Sequence, residues 1–163
     1  MEKTFLNTLE IHTCGHLPQV GDIAPDFELV ATDLSDIRLS DLKGKKVVLN
    51  IFPSIDTEVC AKSVRRFNTD AAAIDNCVVL CISKDLPFAA GRFCTVNGIE
   101  NAKAASAFRS TFGKDYGIEM ADGPLKGLLA RAVILIDEEG RIKAKSLCEN
   151  ITDEPDYEIL KQI

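Results

Sequence analysis

Two continuous apolar runs near the middle of the chain predict strands that are buried on both faces. Residues 45–52 (KKVVLNIF) and 77–83 (CVVLCIS) have the length and composition of such strands. From Thr57 onward, between the two runs, the apolar positions change to the spacing of a helix. The apolar stripe of this helix consists of Cys60, Val64, Phe67, Ala71 and Ile74. A strand, a helix and a strand with short connections predict a right-handed parallel β-α-β unit.

Shorter elements are predicted on both sides of this unit. They are, in chain order, a hairpin or arm at 4–14, two short strands around a polar turn within 27–45, helices at 86–98 and 101–113, a hairpin formed by 131–137 and 141–147, and a helix at 153–163. Gly113 is predicted as the C-cap of the second of these helices. This order of elements is that of an α/β thioredoxin-like fold, a central mixed sheet flanked by helices. Here it carries an N-terminal β-hairpin extension and an insertion after residue 84.

Composition favours one globular domain over residues 1–163. The chain is 46% hydrophobic and 27% charged, which is enough apolar content for one substantial core. The net charge of −6 argues against a nucleic-acid partner. No apolar run approaches the roughly 18 to 20 residues of a membrane span, and the first 16 residues lack the apolar region of a secretory signal. We therefore expect a cytoplasmic protein without a membrane partner.

Six cysteines, at positions 14, 60, 77, 81, 94 and 148, are too few for a disulfide scaffold. In a reducing compartment such cysteines are structural thiols, metal ligands or redox groups. The apolar stripe alone suggests that Cys60 is a core residue, because free cysteine is among the most buried residue types. Its neighbours in the sequence point to chemistry instead.

The segment before Cys60 has the features of an active-site loop. Pro53 ends the buried strand at its carboxyl edge, where open α/β folds place their sites. Asp56 or Thr57 can cap the helix, which leaves Cys60 in the first turn beside unpaired N–H groups and the positive end of the helix dipole. The Thr57 hydroxyl, three residues before the thiol, can face the same small volume.

A reactive Cys60 also requires a cation from elsewhere in the chain. A free thiol is only a few per cent ionised at pH 7, and a helix terminus adds at most about 2 kcal/mol in favour of the thiolate. Lys62 and Arg65 do not share the face of the thiol. Arg131, at the start of the apolar run AVILI, is the best candidate, because an arginine there is costly unless it is paired. The alternative is an edge residue whose guanidinium reaches solvent.

Pro53, Thr57 and Cys60 stand as P-x-x-x-T-x-x-C, which resembles the peroxiredoxin active-site motif, and Arg131 matches the arginine of that family. More narrowly, four separated segments resemble the bacterial thiol peroxidases, which are atypical 2-Cys peroxiredoxins. These segments are NIFPSIDTEVCA, LCISKDLPFAAGRFC, ADGPLKGLLARAVILID and ITDEPDY. The similarity covers nearly the whole chain and is weakest in residues 1–17. Glu58 departs from the pattern, since the resembling enzymes more often carry a small residue there.

The resemblance implies a thioredoxin fold, a homodimer and no cofactor or metal. It also implies reduction of hydrogen peroxide and organic hydroperoxides with electrons from thioredoxin, as part of antioxidant defence. The Cys60 thiolate would attack the terminal peroxide oxygen and become a sulfenic acid. Thr57, Arg131 and N–H groups at the helix start would hold the peroxide oxygens, while Pro53 would shield the thiolate.

The same resemblance implies that Cys94 is the resolving cysteine, which forms an intrachain disulfide with Cys60. Cys77 and Cys81 share one face of an apolar strand and fit the core better. Cys94 lies instead in a predicted helix weakened by Gly91. Because a disulfide needs Cα atoms within about 7 Å, we expect both helices to unwind locally between the reduced and oxidised states.

Two other functions are considered besides a peroxidase. A thiol-disulfide oxidoreductase is disfavoured because the chain has no C-x-x-C motif. A peroxide-sensing redox relay shares the first chemical step with a peroxidase and stays open. A metal site formed by His12, Cys14 and His16 is disfavoured, because side chains on one strand face start roughly 6 to 7 Å apart.

Overall fold

A seven-stranded mixed sheet organises the chain. The structure, a computed structural model, describes residues 1–71 and 73–163 apart from the side chain of Ala71, so the predicted place of Ala71 on the apolar stripe lies outside the described residues. The strands are β1 (Lys3–Leu6), β2 (Leu9–His12), β3 (Glu28–Ala31), β4 (Asp36–Arg38), β5 (Lys46–Ile51), β6 (Cys77–Ser83), β7 (Ala102–Ser106), β8 (Ala132–Ile136) and β9 (Ile142–Leu147). The helices are α1 (Glu58–Ala71), α2 (Pro87–Asn97) and α3 (Phe112–Asp115), with 3-10 helices at Leu39–Leu42 and Tyr157–Gln162. The sheet order is β4-β3-β7-β6-β5-β8-β9, and β1 and β2 form a separate hairpin.

The central β-α-β unit has the predicted form. β5 and β6 are parallel, α1 connects them, and β8 lies antiparallel on the other side of β5. β5 is buried on both faces because its side chains alternate between two core layers. Leu49 and Ile51 belong to one layer, whereas Val48 and Phe52 pack in the other with Cys60 of α1. The continuous apolar run therefore reflects two cores, one on each side of the sheet.

Residues 101–113 do not form a helix, so that prediction is wrong. β7 lies parallel to β6 and antiparallel to β3, and Gly113 lies inside the short helix α3 instead of at a C-cap. Alanine has the highest helix propensity, but the backbone groups of β6 and β3 need partners here, and strand pairing outweighs propensity. As a result α2 is the connection of a second β-α-β unit, β6-α2-β7.

Within the helix predicted at 153–163, only Tyr157–Gln162 is helical, and it is a 3-10 helix. The Asp156 carboxylate accepts a hydrogen bond from the Glu158 N–H, 3.1 Å away, at its start. The tight form suits so short a segment. Its first residue, Tyr157, packs its ring 5.3 Å from that of Phe67 on α1, under the Arg66 guanidinium at 4.5 Å. The end of the chain therefore covers the outer side of α1.

The N-terminal hairpin is fixed against the segment before β8. The His12 carbonyl accepts a hydrogen bond from the Ala121 N–H at 2.8 Å, and the Cys14 N–H donates to the Glu119 carbonyl at 2.8 Å. His12 Nδ1 lies 2.7 Å from Asp122 Oδ2. The hydrogen bond with Asp122 raises the pKa of His12 above its ordinary value. His12 therefore serves to dock the hairpin.

Gly117→Ala should destabilise the protein much more than Gly98→Ala. The two glycines have nearly the same positive φ, 63° and 62°, so the backbone strain of an alanine, about 1–2 kcal/mol, is shared. A Cβ at position 117 would lie 2.3 Å from the His16 carbonyl oxygen, whereas a Cβ at position 98 meets no described atom within 4 Å. We expect an additional loss of at least about 2 kcal/mol in the free energy of unfolding for Gly117→Ala, measured in urea. Equal losses would show that the His16 segment moves away freely.

The contribution of His12 to stability should be present at low pH and lost at high pH. The folded state raises the His12 pKa above 6.5, so the protonated form binds Asp122 in the folded protein. The stabilisation is therefore complete below the unfolded pKa and disappears as the pH rises through the folded pKa. Urea unfolding of the natural chain and of His12→Asn should differ more at about pH 5.5 than at about pH 8.5. The same difference at both pH values would contradict this role.

Candidate active site

Cys60 lies in the first turn of α1 and its side chain is fully buried. The Thr57 hydroxyl oxygen accepts a hydrogen bond from the Cys60 N–H at 3.3 Å and donates its own hydrogen to the Ser54 carbonyl at 3.1 Å. Thr57 is thus the residue that caps the helix, and Asp56 is not. The cap places a hydroxyl group and the start of a helix dipole beside the cysteine.

Arg131 is the cation beside Cys60. It directly precedes β8, is only 2% exposed, and its Nη2 lies 2.9 Å from the Cys60 sulfur. Its Nε donates to the Ile151 carbonyl at 2.8 Å, and its Nη1 is buried with no hydrogen-bond partner among the described residues. Arg131 is therefore not the solvent-reaching edge residue considered as an alternative. The guanidinium therefore places a positive charge against the sulfur in a buried position, where little water screens it.

Pro53 marks the point at which the chain leaves β5. Phe52 continues the pairing of β5 with a hydrogen bond from its N–H to the Ile82 carbonyl at 3.1 Å. Pro53 is buried and has no N–H, so the ladder stops there and the chain turns toward α1. Thr57 and Arg131 both contact Cys60, and Pro53 begins the loop that leads from β5 to these residues.

Asp85 is a site residue that the sequence analysis missed. Its carboxylate accepts three hydrogen bonds, from the Ser54 hydroxyl at 2.8 Å, the Ile55 N–H at 2.6 Å and the Ser83 hydroxyl at 2.7 Å. Asp85 follows the carboxyl end of β6, which lies next to β5. An acidic residue two positions after a buried parallel strand is the signal that could have found it.

The sequence analysis also missed a buried polar pair, Asn50 on β5 and Ser63 on α1. Asn50, in the middle of β5, donates to the Ser63 hydroxyl oxygen at 3.3 Å, and the Ser63 hydroxyl donates to the Cys60 carbonyl at 2.8 Å. The side-chain amide nitrogen of Asn50 also lies 3.6 Å from the sulfur of Cys81. Asn50 and Ser63 are fully buried, so these bonds fix the first turn of α1 to the sheet.

Cys60 and Cys94 lie on different helices, α1 and α2, and no disulfide joins them. Cys94 is half-buried on α2 and borders a surface hollow together with Thr32, Gly91 and Gly98. Burial raises its pKa, so its sulfur is held as a thiol. Neither cysteine forms a disulfide, and the other four are free as well.

Comparison with known proteins identifies the family. The Redoxin family matches residues 19–160. The thiol peroxidase of Corynebacterium glutamicum is 56% identical over 158 residues, which cover 97% of this chain and 96% of that protein. The thiol peroxidase of Mycobacterium tuberculosis is 53% identical, with 97% and 95% covered. The chain belongs to the thiol peroxidases of the Redoxin family.

Solved structures agree with this membership. A peroxiredoxin-like protein from Aquifex aeolicus has a TM-score of 0.92 and 36% identity, with 98% of this chain and 94% of that chain covered. The predicted thioredoxin-like α/β fold with its N-terminal hairpin is confirmed, and so is the prediction of a peroxiredoxin enzyme. No helix within the described residues is both long and apolar enough to span a membrane.

The remaining cysteines of this thiol peroxidase are poor nucleophiles or lie away from the Arg131 site. Burial raises the pKa of Cys81 to about 12 and that of Cys148 to about 11. Burial also raises the pKa of Cys77, and Cys14 is exposed on the segment after β2. Cys60 is the cysteine on which the helix start, the cap and the guanidinium converge.

Arg131→Met should slow the alkylation of Cys60 by iodoacetamide at neutral pH. A hydrogen bond to a charged group contributes about 1.5–3 kcal/mol, so we expect a rate reduction of about ten- to a hundredfold. Peptide mass spectrometry identifies the labelled cysteine. Arg131→Lys keeps the positive charge but lacks the planar guanidinium with its several N–H donors. Its alkylation rate should lie between those of Arg131→Met and the natural chain.

Arg65→Met is the matched control, because Arg65 is an exposed arginine on α1, the helix that carries Cys60. It should leave the alkylation rate within about twofold of the natural chain. If the Arg131→Met protein were alkylated at Cys60 as fast as the natural chain, with an unchanged circular dichroism spectrum, the role of Arg131 would be contradicted.

Proposed function

We propose that Cys60 is the peroxidatic cysteine and reduces hydrogen peroxide and organic hydroperoxides to water or alcohols. The observation that carries this proposal is the 2.9 Å contact between Arg131 Nη2 and the Cys60 sulfur in a buried site. The thiolate attacks the terminal oxygen of the hydroperoxide, so that an S–O bond forms while the O–O bond breaks. The leaving alkoxide or hydroxide takes a proton, and Cys60 is left as a sulfenic acid.

The peroxide is held by donors that the reduced site leaves available. Arg131 Nη1 is buried and has no partner within the described residues, so it can donate to a peroxide oxygen. The N–H groups at the start of α1 supply further donors, and the Thr57 hydroxyl can turn its hydrogen from the Ser54 carbonyl to a peroxide oxygen. Pro53 excludes water from the thiolate. Donors aimed at the breaking O–O bond stabilise the charge that develops on the leaving oxygen.

Cys94 is the resolving cysteine in this proposal. Its thiol attacks the sulfur of the Cys60 sulfenic acid, a disulfide forms and water leaves. The two cysteines lie on different helices, so α1 and α2 unwind locally before they meet. The weak anchoring of α2 supports this step, because only Pro87 and Ala90 of its residues are buried.

The disulfide is reduced by thioredoxin through thiol-disulfide exchange. We further propose that the chain is a single-domain cytoplasmic protein that forms a homodimer. Six cysteines in a chain of this size are too few for a disulfide scaffold, which fits a reducing compartment. Leu86, Phe88 and Phe108 are exposed apolar side chains that follow the carboxyl ends of β6 and β7, and a second copy can cover them.

One equivalent of hydrogen peroxide added to the reduced protein should produce a Cys60–Cys94 disulfide, identified by non-reducing peptide mass spectrometry. Cys60→Ser should abolish both the disulfide and turnover with thioredoxin and its reductase. Cys94→Ser should accumulate a Cys60 sulfenic acid that dimedone traps, because no second thiol reaches it.

Cys77→Ser is the control, since Cys77 lies on β6 and has no part in the proposed reaction; it should behave as the natural chain does. A disulfide between any other pair would overturn the assignment of Cys94. Sustained turnover by Cys60→Ser would overturn the proposed function.

A further inference from the structure

The Asp85 carboxylate joins the two segments that carry the redox cysteines. It binds Ser54 and Ile55 in the loop that leads to Thr57 and Cys60. Asp85 itself lies two residues before α2, the helix that carries Cys94. The loop before α1 and the start of α2 therefore share one anchor.

The anchor is tied to the sheet independently of α2. The Ser83 hydroxyl, at the end of β6, donates to the Asp85 carboxylate, and the Ser106 hydroxyl, at the end of β7, donates to the Asp85 backbone carbonyl. Neighbouring Lys84 forms an ion pair with Glu119 at 2.9 Å. None of these bonds involves a residue of α2, so α2 can unwind while Asp85 stays in place.

Chain length permits this arrangement. Cys94 follows Asp85 by nine positions. Nine extended residues span about 30 Å, which is more than the separation of neighbouring helices on one sheet. Cys94 can thus move to Cys60 without breaking the bonds of Asp85 to the loop before α1.

We propose that Asp85 is a positioning residue for the first chemical step, the oxidation of Cys60, and not for disulfide formation. This inference rests on the proposed function. The Asp85 carboxylate fixes Ser54 and Ile55. The backbone carbonyl of Ser54 then accepts the hydroxyl hydrogen of Thr57, and Thr57 caps the turn that holds Cys60. Without the carboxylate, the loop loses its fixed position and the cap and the donors around the thiolate are disordered. The same loosening favours the unwound form of α1 that Cys94 attacks.

Asp85→Leu should lower the second-order rate constant for Cys60 oxidation by at least about tenfold, because it removes three hydrogen bonds to a charged group. The rate constant for the following disulfide formation should be unchanged or higher. Both rates are obtained by rapid quenching after a pulse of hydrogen peroxide, with mass spectrometry of the thiol, the dimedone-trapped sulfenic acid and the disulfide.

Asp85→Asn separates hydrogen bonding from charge. The asparagine oxygen can accept from the Ile55 N–H and its amide can donate to the Ser54 hydroxyl, so this variant should be oxidised at a rate between those of Asp85→Leu and the natural chain. Asp56→Asn is the matched control, because Asp56 is exposed in the same loop and its carboxylate has no hydrogen bond among the described residues. It should be oxidised as fast as the natural chain. If Asp85→Leu does not fold, Ser54→Ala takes its place. It removes only the hydrogen bond from the Ser54 hydroxyl to the Asp85 carboxylate and should slow the oxidation of Cys60 by a few fold.

Several outcomes would overturn the inference. Oxidation of Asp85→Leu, or of Ser54→Ala in its place, within about twofold of the natural rate would show that the anchor does not position Cys60. Equal slowing of both steps would indicate a general structural role, and equal rates for Asp85→Asn and Asp85→Leu would indicate a charge effect. If the natural chain does not form a Cys60 sulfenic acid, the proposed function itself fails, and the two failures are thereby distinguished.

Discussion

The contact between Arg131 and Cys60 is the interaction on which the site depends. Moving a guanidinium out of water costs several kcal/mol unless its donors find acceptors and its charge finds an opposite one. Arg131 has one carbonyl oxygen and one sulfur as side-chain partners, and none of its described hydrogen bonds goes to a carboxylate. In the proposed mechanism a thiolate at Cys60 supplies that opposite charge. The 2.9 Å contact therefore links the burial of Arg131 to the position of the Cys60 sulfur.

The N-terminal hairpin contributes to this contact from a distance. Phe5 of β1 exchanges backbone hydrogen bonds with Glu149 and Ile151, at 2.9 and 2.8 Å. Ile151 supplies the carbonyl that accepts the Arg131 Nε–H. The hairpin thus fixes the segment after β9, and that segment orients the guanidinium toward the sulfur. An element that extends the thioredoxin-like core serves the site by holding one carbonyl oxygen in place.

The features that the sequence predicts are those with a local signal. The spacing from Thr57 to Cys60 and the cost of a lone Arg131 in an apolar run each report chemistry without knowledge of the fold. The missed features depend on neighbours in space. β7 is a strand because β6 and β3 need partners, which alanine propensity does not reveal. Asn50 is a single polar residue in an apolar run, and its partner Ser63 lies on another element. Ile151 acts through its carbonyl, which every residue has.

A buried site must still release Cys60 if the proposed disulfide is to form, and in the proposed mechanism oxidation itself supplies the change. In the reduced state the first turn of α1 is held by the Thr57 cap, by the Ser63 bond to the Cys60 carbonyl and by the charge of Arg131. The first two are neutral hydrogen bonds of about 1 kcal/mol each, whereas the third is charge-assisted and stronger. In the proposed reaction a sulfenic acid would no longer carry the thiolate charge, so oxidation would weaken the strongest of the three. The packing of Phe67 on Tyr157 holds the remainder of α1, so the proposed unwinding would be confined to the turn that carries Cys60.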